Sequence, residues 1–296
     1  MKSYTYKSIA GCGIRADVHP AMGTHRGSGR KTPAVIWLHG GALMWGSCDY
    51  MTRPEQVELY TRAGYTFIAM DYRLAPESKL PDIVSDVLDG LRWVRERGPS
   101  EFNLDPARIG IIGHSAGGYL ALLAGARASP APQAIVSLYG YGDISAPWYT
   151  TPSAHALQKP HVTESDARAV IGTRPLSIAG RERGTFYAWC RQNGCWPREV
   201  VGLTPDADLR ALDPWCPVRH VTPSYPPTFL AHGDQDPDVP HHLSIAMAKA
   251  LQSAGVAHRL MILPGYGHVF DDCFGDAPVV EIFVEVLNFL SEHLHP

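Results

Sequence analysis

The feature that most constrains this chain is Gly113-His114-Ser115-Ala116-Gly117, a serine flanked by two glycines where an apolar β-branched run meets a helix-forming one. Before it, Arg108-Ile109-Gly110-Ile111-Ile112 suits a buried strand; after it, Ala116 to Ala128 is rich in Ala and Leu, the residues best suited to a helix. Without Cβ atoms at Gly113 and Gly117, strand and helix can approach closely enough to force Ser115 into a sharp turn with its hydroxyl exposed. G-x-S-x-G by itself arises by chance, and its bland reading is an ordinary glycine-rich turn. With strand and helix on either side it reads as a nucleophile elbow.

The rest of the chain supplies the sheet that such an elbow needs. Tyr4-Thr5-Tyr6 and Ile14 to Val18 alternate weakly and suit edge strands, whereas Ala34-Val35-Ile36-Trp37-Leu38 is continuously apolar, as expected of a strand covered on both faces. A helix is expected from Pro54 to Ala63, a strand from Tyr65 to Met70, and a long amphipathic helix on Leu80, Ile83, Val84, Val87, Leu88, Leu91 and Val94 that stops at Gly98-Pro99. Strands at Ala134 to Leu138, Thr228 to Ala231 and Arg259 to Leu263 follow, with helices from Pro240 to Ser253 and from Val279 to Leu294. Alternation of this kind predicts an α/β fold, a mostly parallel central sheet with helices on both faces.

Between 141 and 225 the alternation stops, and proline and large aromatics take over: Trp148, Tyr149, Phe186, Tyr187, Trp189, Trp196 and Trp215. The expected organisation is therefore a core of residues 1–140 and 226–296 carrying an inserted lid or cap at 141–225. The insertion either lies over the site or has a small core of its own. Most of its aromatics are expected to pack it onto the body, leaving two or three to meet substrate.

Three loops leave the carboxyl ends of predicted strands, where ligands sit in open parallel sheets. His39-Gly40-Gly41-Ala42 offers unobstructed backbone N–H groups, the second half of an oxyanion hole. The stretch from His232 to Pro240 holds Asp234, Asp236 and Asp238, and Pro264-Gly265-Tyr266-Gly267-His268 ends in a histidine. A serine hydroxyl needs an adjacent base, and the base an orienting acid. The order Ser, Asp, His is the one that an elbow-bearing sheet of this kind uses. His268 is the expected base.

At this point the chain resembles the α/β-hydrolase fold, and within it the hormone-sensitive-lipase-like and feruloyl-esterase-like carboxylesterases. The residues that carry the likeness are His39-Gly40-Gly41-Ala42, Asp71-Tyr72-Arg73-Leu74-Ala75-Pro76-Glu77, Gly113 to Gly118, His232-Gly233 with Asp236 and Val239-Pro240, and Gly267-His268. The resemblance implies Ser115 as nucleophile, His268 as base, Asp236 as orienting acid, and the N–H groups of Gly40, Gly41 and Ala116 as oxyanion hole, with His39 and Asp71 structural. Asp234 and Asp238 are then expected to bond local backbone or face solvent. Ala42 stands where the family has a third glycine. His114 stands where many lipase-like members have Asp, a substitution that looks equally like kynurenine-formamidase-like enzymes. The insertion, too, departs from the N-terminal cap of the lipase-like group.

Composition narrows the function classes. Hydrophobic residues at 45%, charged residues at 19% and a net charge of -3 give no basic face for nucleic acid. The most basic stretch, His25 to Lys31, is Gly- and Ser-rich and reads as a solvated loop. No run approaches the roughly 18 apolar residues of a membrane span. Six cysteines without C-x-x-C or zinc spacing are expected as free thiols, a Cys190 to Cys195 bridge being the one alternative. His241-His242 and His293-x-His295 do not match a zinc site. The expectation is a cytoplasmic serine carboxylesterase for short-acyl or aryl esters, a monomer or homodimer without cofactor or metal. Amide or formamide hydrolysis by the same triad is the near alternative, and a non-catalytic small-ligand receptor the alternative from another class.

Overall fold

The computed structural model describes residues 1–23, 31–204 and 206–294. The basic stretch from His25 to Lys31 falls almost wholly outside these residues, as does His295. Eight strands form one sheet: β1 (Lys2–Ile9), β2 (Cys12–His19), β3 (Thr32–Leu38), β4 (Thr66–Met70), β5 (Leu104–His114), β6 (Ala134–Leu138), β7 (Thr228–Gly233) and β8 (His258–Leu263). Their order across the sheet is β1-β2-β4-β3-β5-β6-β7-β8. The weakly alternating β1 and β2 form the antiparallel edge. From β4 to β8 all pairs are parallel. Every residue of β3, β4, β6 and β7 is buried, which is why these segments read as unbroken apolar runs.

The helices divide between the faces. In chain order, α1 (Cys48–Met51) and α2 (Pro54–Arg62) precede β4, α3 (Leu80–Glu101) precedes β5, and α4 (Ala116–Arg127) follows it. Five short helices, α5 (Pro147–Thr150), α6 (Ala154–Leu157), α7 (Glu164–Ala169), α8 (Gly184–Asn193) and α9 (Trp196–Val201), lie between β6 and β7; α10 (His242–Ser253) and α11 (Ala277–Leu294) complete the chain. The apolar stripes of α3, α4 and α10 share one buried cluster, and those of α2 and α11 pack on the opposite face. Gly98-Pro99 does not stop α3 as expected. Proline removes a single donor near the end, and the helix closes a turn later with the Phe102 N–H on the Gly98 carbonyl at 2.9 Å.

The segment 141–225 adds no strand to the sheet, in line with its lost alternation. It has no separate core, however. Tyr149, Phe186, Trp196, Val200 and Leu212 are buried in the same cluster as Leu80, Leu120 and Tyr141, so the body's core continues into the insertion. Register sets the site: Leu38 pairs with Gly113, His114 with Leu138, and Gly233 with Leu263. The loops after β3, β5, β7 and β8 therefore open at one level of the sheet.

Candidate active site

Ser115 has φ 53° and ψ -117°, a left-handed conformation that side chains other than glycine rarely adopt. Its N–H is tied to the Leu138 carbonyl at 2.9 Å. The flanking glycines are required by close approach: a Cβ at Gly113 would lie 2.0 Å from the Gly117 oxygen, and one at Gly117 would lie 2.1 Å from the Leu38 oxygen. The elbow read in the sequence is present, with the serine side chain facing a cavity of about 670 Å³.

His268, on the loop after β8, places Nε2 3.0 Å from Ser115 Oγ and Nδ1 2.6 Å from Asp236 Oδ2. The structure thus brings Ser115, His268 and Asp236 together from three separate loops. Asp236 Oδ1 accepts the N–H groups of Asp238 at 2.9 Å and Val239 at 2.8 Å, which fixes the carboxylate in its loop. Burial opposes ionisation of Asp236, but hydrogen bonds from His232 and His268 outweigh it and hold the carboxyl well below its usual range. Burial likewise opposes the charged form of His268, while the hydrogen bond and charge of Asp236 win and raise its pKa above 6.5.

His232 was legible only as part of a motif, and it has a definite job. Its Nε2 faces Asp236 Oδ2 at 3.1 Å and the Val239 carbonyl at 2.9 Å, and its Nδ1 lies 2.8 Å from Ser244 Oγ. Two acceptors at Nε2 place the proton there, so Nδ1 accepts from Ser244. His232 therefore fixes the acid loop from behind.

The neighbouring aspartates correct the expectation of local or solvated roles. Asp234 Oδ1 accepts the Gly265 N–H at 2.7 Å, joining the acid loop to the histidine loop. Asp238 takes the Tyr187 hydroxyl at 2.9 Å and faces Arg191 Nε at 3.6 Å, while Arg191 also donates to the Asp238 carbonyl at 3.0 Å. Both partners belong to α8, so Asp238 ties the insertion to the acid loop. Sequence offers no signal for this pairing, since its residues are about fifty positions apart.

The loop after β3 has its carbonyls tied back. Tyr72 Oη donates to the His39 oxygen at 2.7 Å and to the Gly40 oxygen at 3.2 Å, and His39 Nδ1 lies 2.8 Å from the Gly40 oxygen. In a planar trans peptide, N–H points opposite to C=O. Holding the His39 and Gly40 carbonyls therefore aims the N–H groups of Gly40 and Gly41 the other way. Gly40 and Gly41 line the cavity with Ser115 and His268. Ala116 is the first residue of α4, whose opening N–H groups have no partner within the helix. Burial lowers the His39 pKa to about 4, so it is a neutral donor, and it stacks on Tyr72 with ring centroids 4.3 Å apart. The sequence reading quoted Tyr72 in a motif and gave it no role; its hydroxyl holds both carbonyls of this loop.

Of the insertion's aromatics, Tyr149 and Tyr187 line the cavity, together with Arg181. The others anchor the insertion: Trp196 stacks on Tyr149 at 4.0 Å and its Nε1 donates to the Ala42 carbonyl at 3.1 Å. All six cysteines are free thiols, Cys190 and Cys195 included.

A family model described as alpha/beta hydrolase fold matches residues 35–272. The chain belongs to this family. Among curated proteins, this hydrolase is 27% identical to the non-reducing polyketide synthase ausA of Aspergillus calidoustus, a match covering 92% of this chain but only 13% of that one. The chain thus spans about an eighth of the length of the curated relatives it matches. Among solved structures, a protein of unknown function from Staphylococcus aureus superposes with a TM-score of 0.80 at 21% identity, covering 99% of this chain and 100% of that one. A thermophilic esterase from Thermogutta terrifontis with butyrate bound superposes with a TM-score of 0.68 at 22% identity, covering 98% and 93%. That esterase has also been solved phosphonylated by sarin. The likeness to these solved structures, like the parallel sheet, bears out the fold expected from the elbow. No described helix is long and apolar enough to cross a membrane.

Proposed function

We propose that the protein is a serine carboxylesterase acting on short-acyl or aryl esters through an acyl-enzyme. The observation that carries this reading is the single imidazole of His268 set between Ser115 Oγ at 3.0 Å and Asp236 Oδ2 at 2.6 Å, with Ser115 and His268 lining a cavity. With Nδ1–H donated to the Asp236 carboxylate, Nε2 has its lone pair toward the serine proton. His268 takes that proton as Ser115 Oγ attacks the ester carbonyl. The oxyanion that forms meets the N–H groups of Gly40, Gly41 and Ala116, and His268 returns the proton to the leaving alcohol. Water then repeats the sequence on the acyl-serine, with His268 again as base. The butyrate seen in the Thermogutta esterase and the modest cavity support short chains.

The test is turnover of 4-nitrophenyl acetate and butyrate. Ser115→Ala is expected to lower kcat by about 10⁶, the typical cost of removing the nucleophile of such a triad. A folded Ser115→Ala protein with more than a few per cent of wild-type activity would overturn the reading.

A further inference from the structure

Among the described residues, the arginines and aspartates that line the cavity facing Ser115 are Arg53, Arg181, Asp238 and Asp272. All but one are answered within the protein. Arg53 has Nε 3.2 Å from Asp271 and a terminal nitrogen 2.6 Å from Asp272. Asp238 faces Arg191 at 3.6 Å and accepts from Tyr187 at 2.9 Å. Arg181 is exposed and makes no hydrogen bond or ion pair with any described residue.

Its place in the wall is nonetheless fixed. Just before it, Ala179 is bridged to Gly46 in the loop after β3: the Gly46 N–H donates to the Ala179 carbonyl at 2.9 Å, the Ala179 N–H returns a bond at 3.3 Å, and Tyr50 Oη donates to the same Ala179 carbonyl. Just after it, Arg183 is buried, with one terminal nitrogen 2.9 Å from Glu77 Oε1 and the other 2.7 Å from the Ala75 carbonyl. Glu182, the acid next to Arg181 in the chain, turns its carboxylate back to the Gly180 N–H at 3.1 Å. The backbone at Arg181 is therefore held on both sides, while its guanidinium, a permanent cation, has no counter-charge.

Charge also differs between the two arms of an ester bound at Ser115. The leaving alcohol takes its proton from His268, so that arm lies against the histidine wall. The carboxylates of Asp236, Asp238 and Asp271 all act on His268, and Asp272 lines the cavity while sharing the single cation of Arg53 with Asp271. An anion on the leaving arm meets repulsion there. Arg181 belongs instead to the segment bridged onto the loop after β3, the loop that carries Gly40 and Gly41. A carboxylate on the acyl arm can take parallel N–H bonds from its guanidinium.

We propose that Arg181 is a specificity-determining residue for an anionic acyl group, so that the preferred substrate is a hemiester, an ester of a short dicarboxylic acid whose second carboxylate is free to pair with the guanidinium. The proposal rests on the esterase reading and names the substrate class for the same site.

Matched pairs that differ only in charge test it. On the acyl side, the monoethyl esters of succinic, glutaric and adipic acid are compared with the same esters carrying a carboxamide in place of the free carboxylate; on the leaving side, 4-acetoxybutanoate is compared with 4-acetoxybutanamide. For at least one acyl length the acid is expected to have at least about threefold higher kcat/KM than the amide, expressed mainly in KM, since an ion pair in an open cavity is worth a few-fold in affinity. Sodium chloride at about 0.5 M should remove most of that preference. The leaving-side pair should show no preference for the acid. Arg181→Gln is expected to bring the acyl-side ratio within about twofold of unity, Arg181→Glu to invert it and Arg181→Lys to keep it above unity. The same acyl pairs titrated calorimetrically into Ser115→Ala protein should give the same order of Kd, a readout that needs neither turnover nor a folded Arg181 variant. Ratios below threefold at every acyl length in turnover and in binding would overturn the assignment, as would a preference that survives in a folded Arg181→Gln or one confined to the leaving-side pair. Absence of Ser115-dependent turnover combined with a preserved Kd order would instead overturn the esterase reading and leave the Arg181 subsite standing.

Discussion

Asp236 accepts hydrogen bonds from two histidines on one oxygen and from two backbone N–H groups on the other. Its substitution by Asn offers an N–H₂ where an acceptor is needed, so His268 loses its tautomer and its charge partner. Asp236→Asn is expected to lower kcat by about 10⁴, with the fold intact by circular dichroism. Asp234→Asn keeps an acceptor for the Gly265 N–H and should stay within about tenfold in kcat/KM. Asp238→Asn weakens the tie to Arg191 and should act mainly by raising KM several-fold. If either flanking variant proves as crippled as Asp236→Asn, the assignment of the acid is wrong. The pH profile tests the same contact. His268 must be neutral to act as base, and Asp236 raises its pKa above the ordinary 6.5, so the acid limb of kcat/KM should have its midpoint above pH 6.5. In Asp236→Asn the limb should move to lower pH. The stability linkage has the opposite sign to activity: a raised folded-state pKa makes protonated His268 stabilising below its unfolded value, a contribution lost as pH rises through the folded pKa. A wild-type limb centred below pH 6 would contradict the coupling. Tyr72→Phe keeps the ring stacked on His39 but frees the His39 and Gly40 carbonyls from their hydroxyl donor. The expected result is a kcat reduced by about tenfold, less than the 10² to 10³ typical of deleting an oxyanion donor itself, with little change in KM. An unchanged kcat would show that His39 alone sets the loop.

Among the elements, the insertion contributes Tyr149, Arg181 and Tyr187 to the lining of the cavity that Ser115 faces. Two of its ties to the body flank the site: Trp196 to the Ala42 carbonyl in the loop after β3, and Tyr187 with Arg191 to Asp238 in the loop after β7. Arg191 also lies over the Tyr149 ring at 4.6 Å, so one buried cation holds the aromatic wall and the acid loop together. A wall tied at both ends bounds the cavity on the insertion side. Esters with two to six acyl carbons should therefore have higher kcat/KM than long-chain esters, measured as a series from acetyl to palmitoyl. Comparable values across the series would mean that the insertion does not bound the acyl group.

At the scale of the whole molecule, the site exists because parallel strands end at one level. Legibility followed from this. Buried strands need continuous apolar runs, amphipathic helices need a 3.6-residue period, and the elbow needs glycine at 113 and 117 because backbone atoms lie about where a Cβ would be. Those requirements leave local patterns in the chain, even where, as at Gly117, the atom that imposes them belongs to the distant Leu38, so Ser115, His268, the glycines at 40 and 41 and the order of elements could be read from sequence alone. Asp236 needed a family pattern, because three aspartates share one loop and the hydrogen bonds that distinguish them come from His232 and His268. What only the tertiary structure decided are contacts between residues far apart in sequence: Tyr72 holding the His39 and Gly40 carbonyls, Asp238 holding Tyr187 and Arg191, and Asp271 lying against His114. Each depends on hydrogen-bond geometry over a few ångströms, which hydrophobic periodicity does not encode. The insertion completes the division: its lost alternation marked it as outside the sheet, while its packing into the body's own core was settled by shape complementarity among aromatic rings.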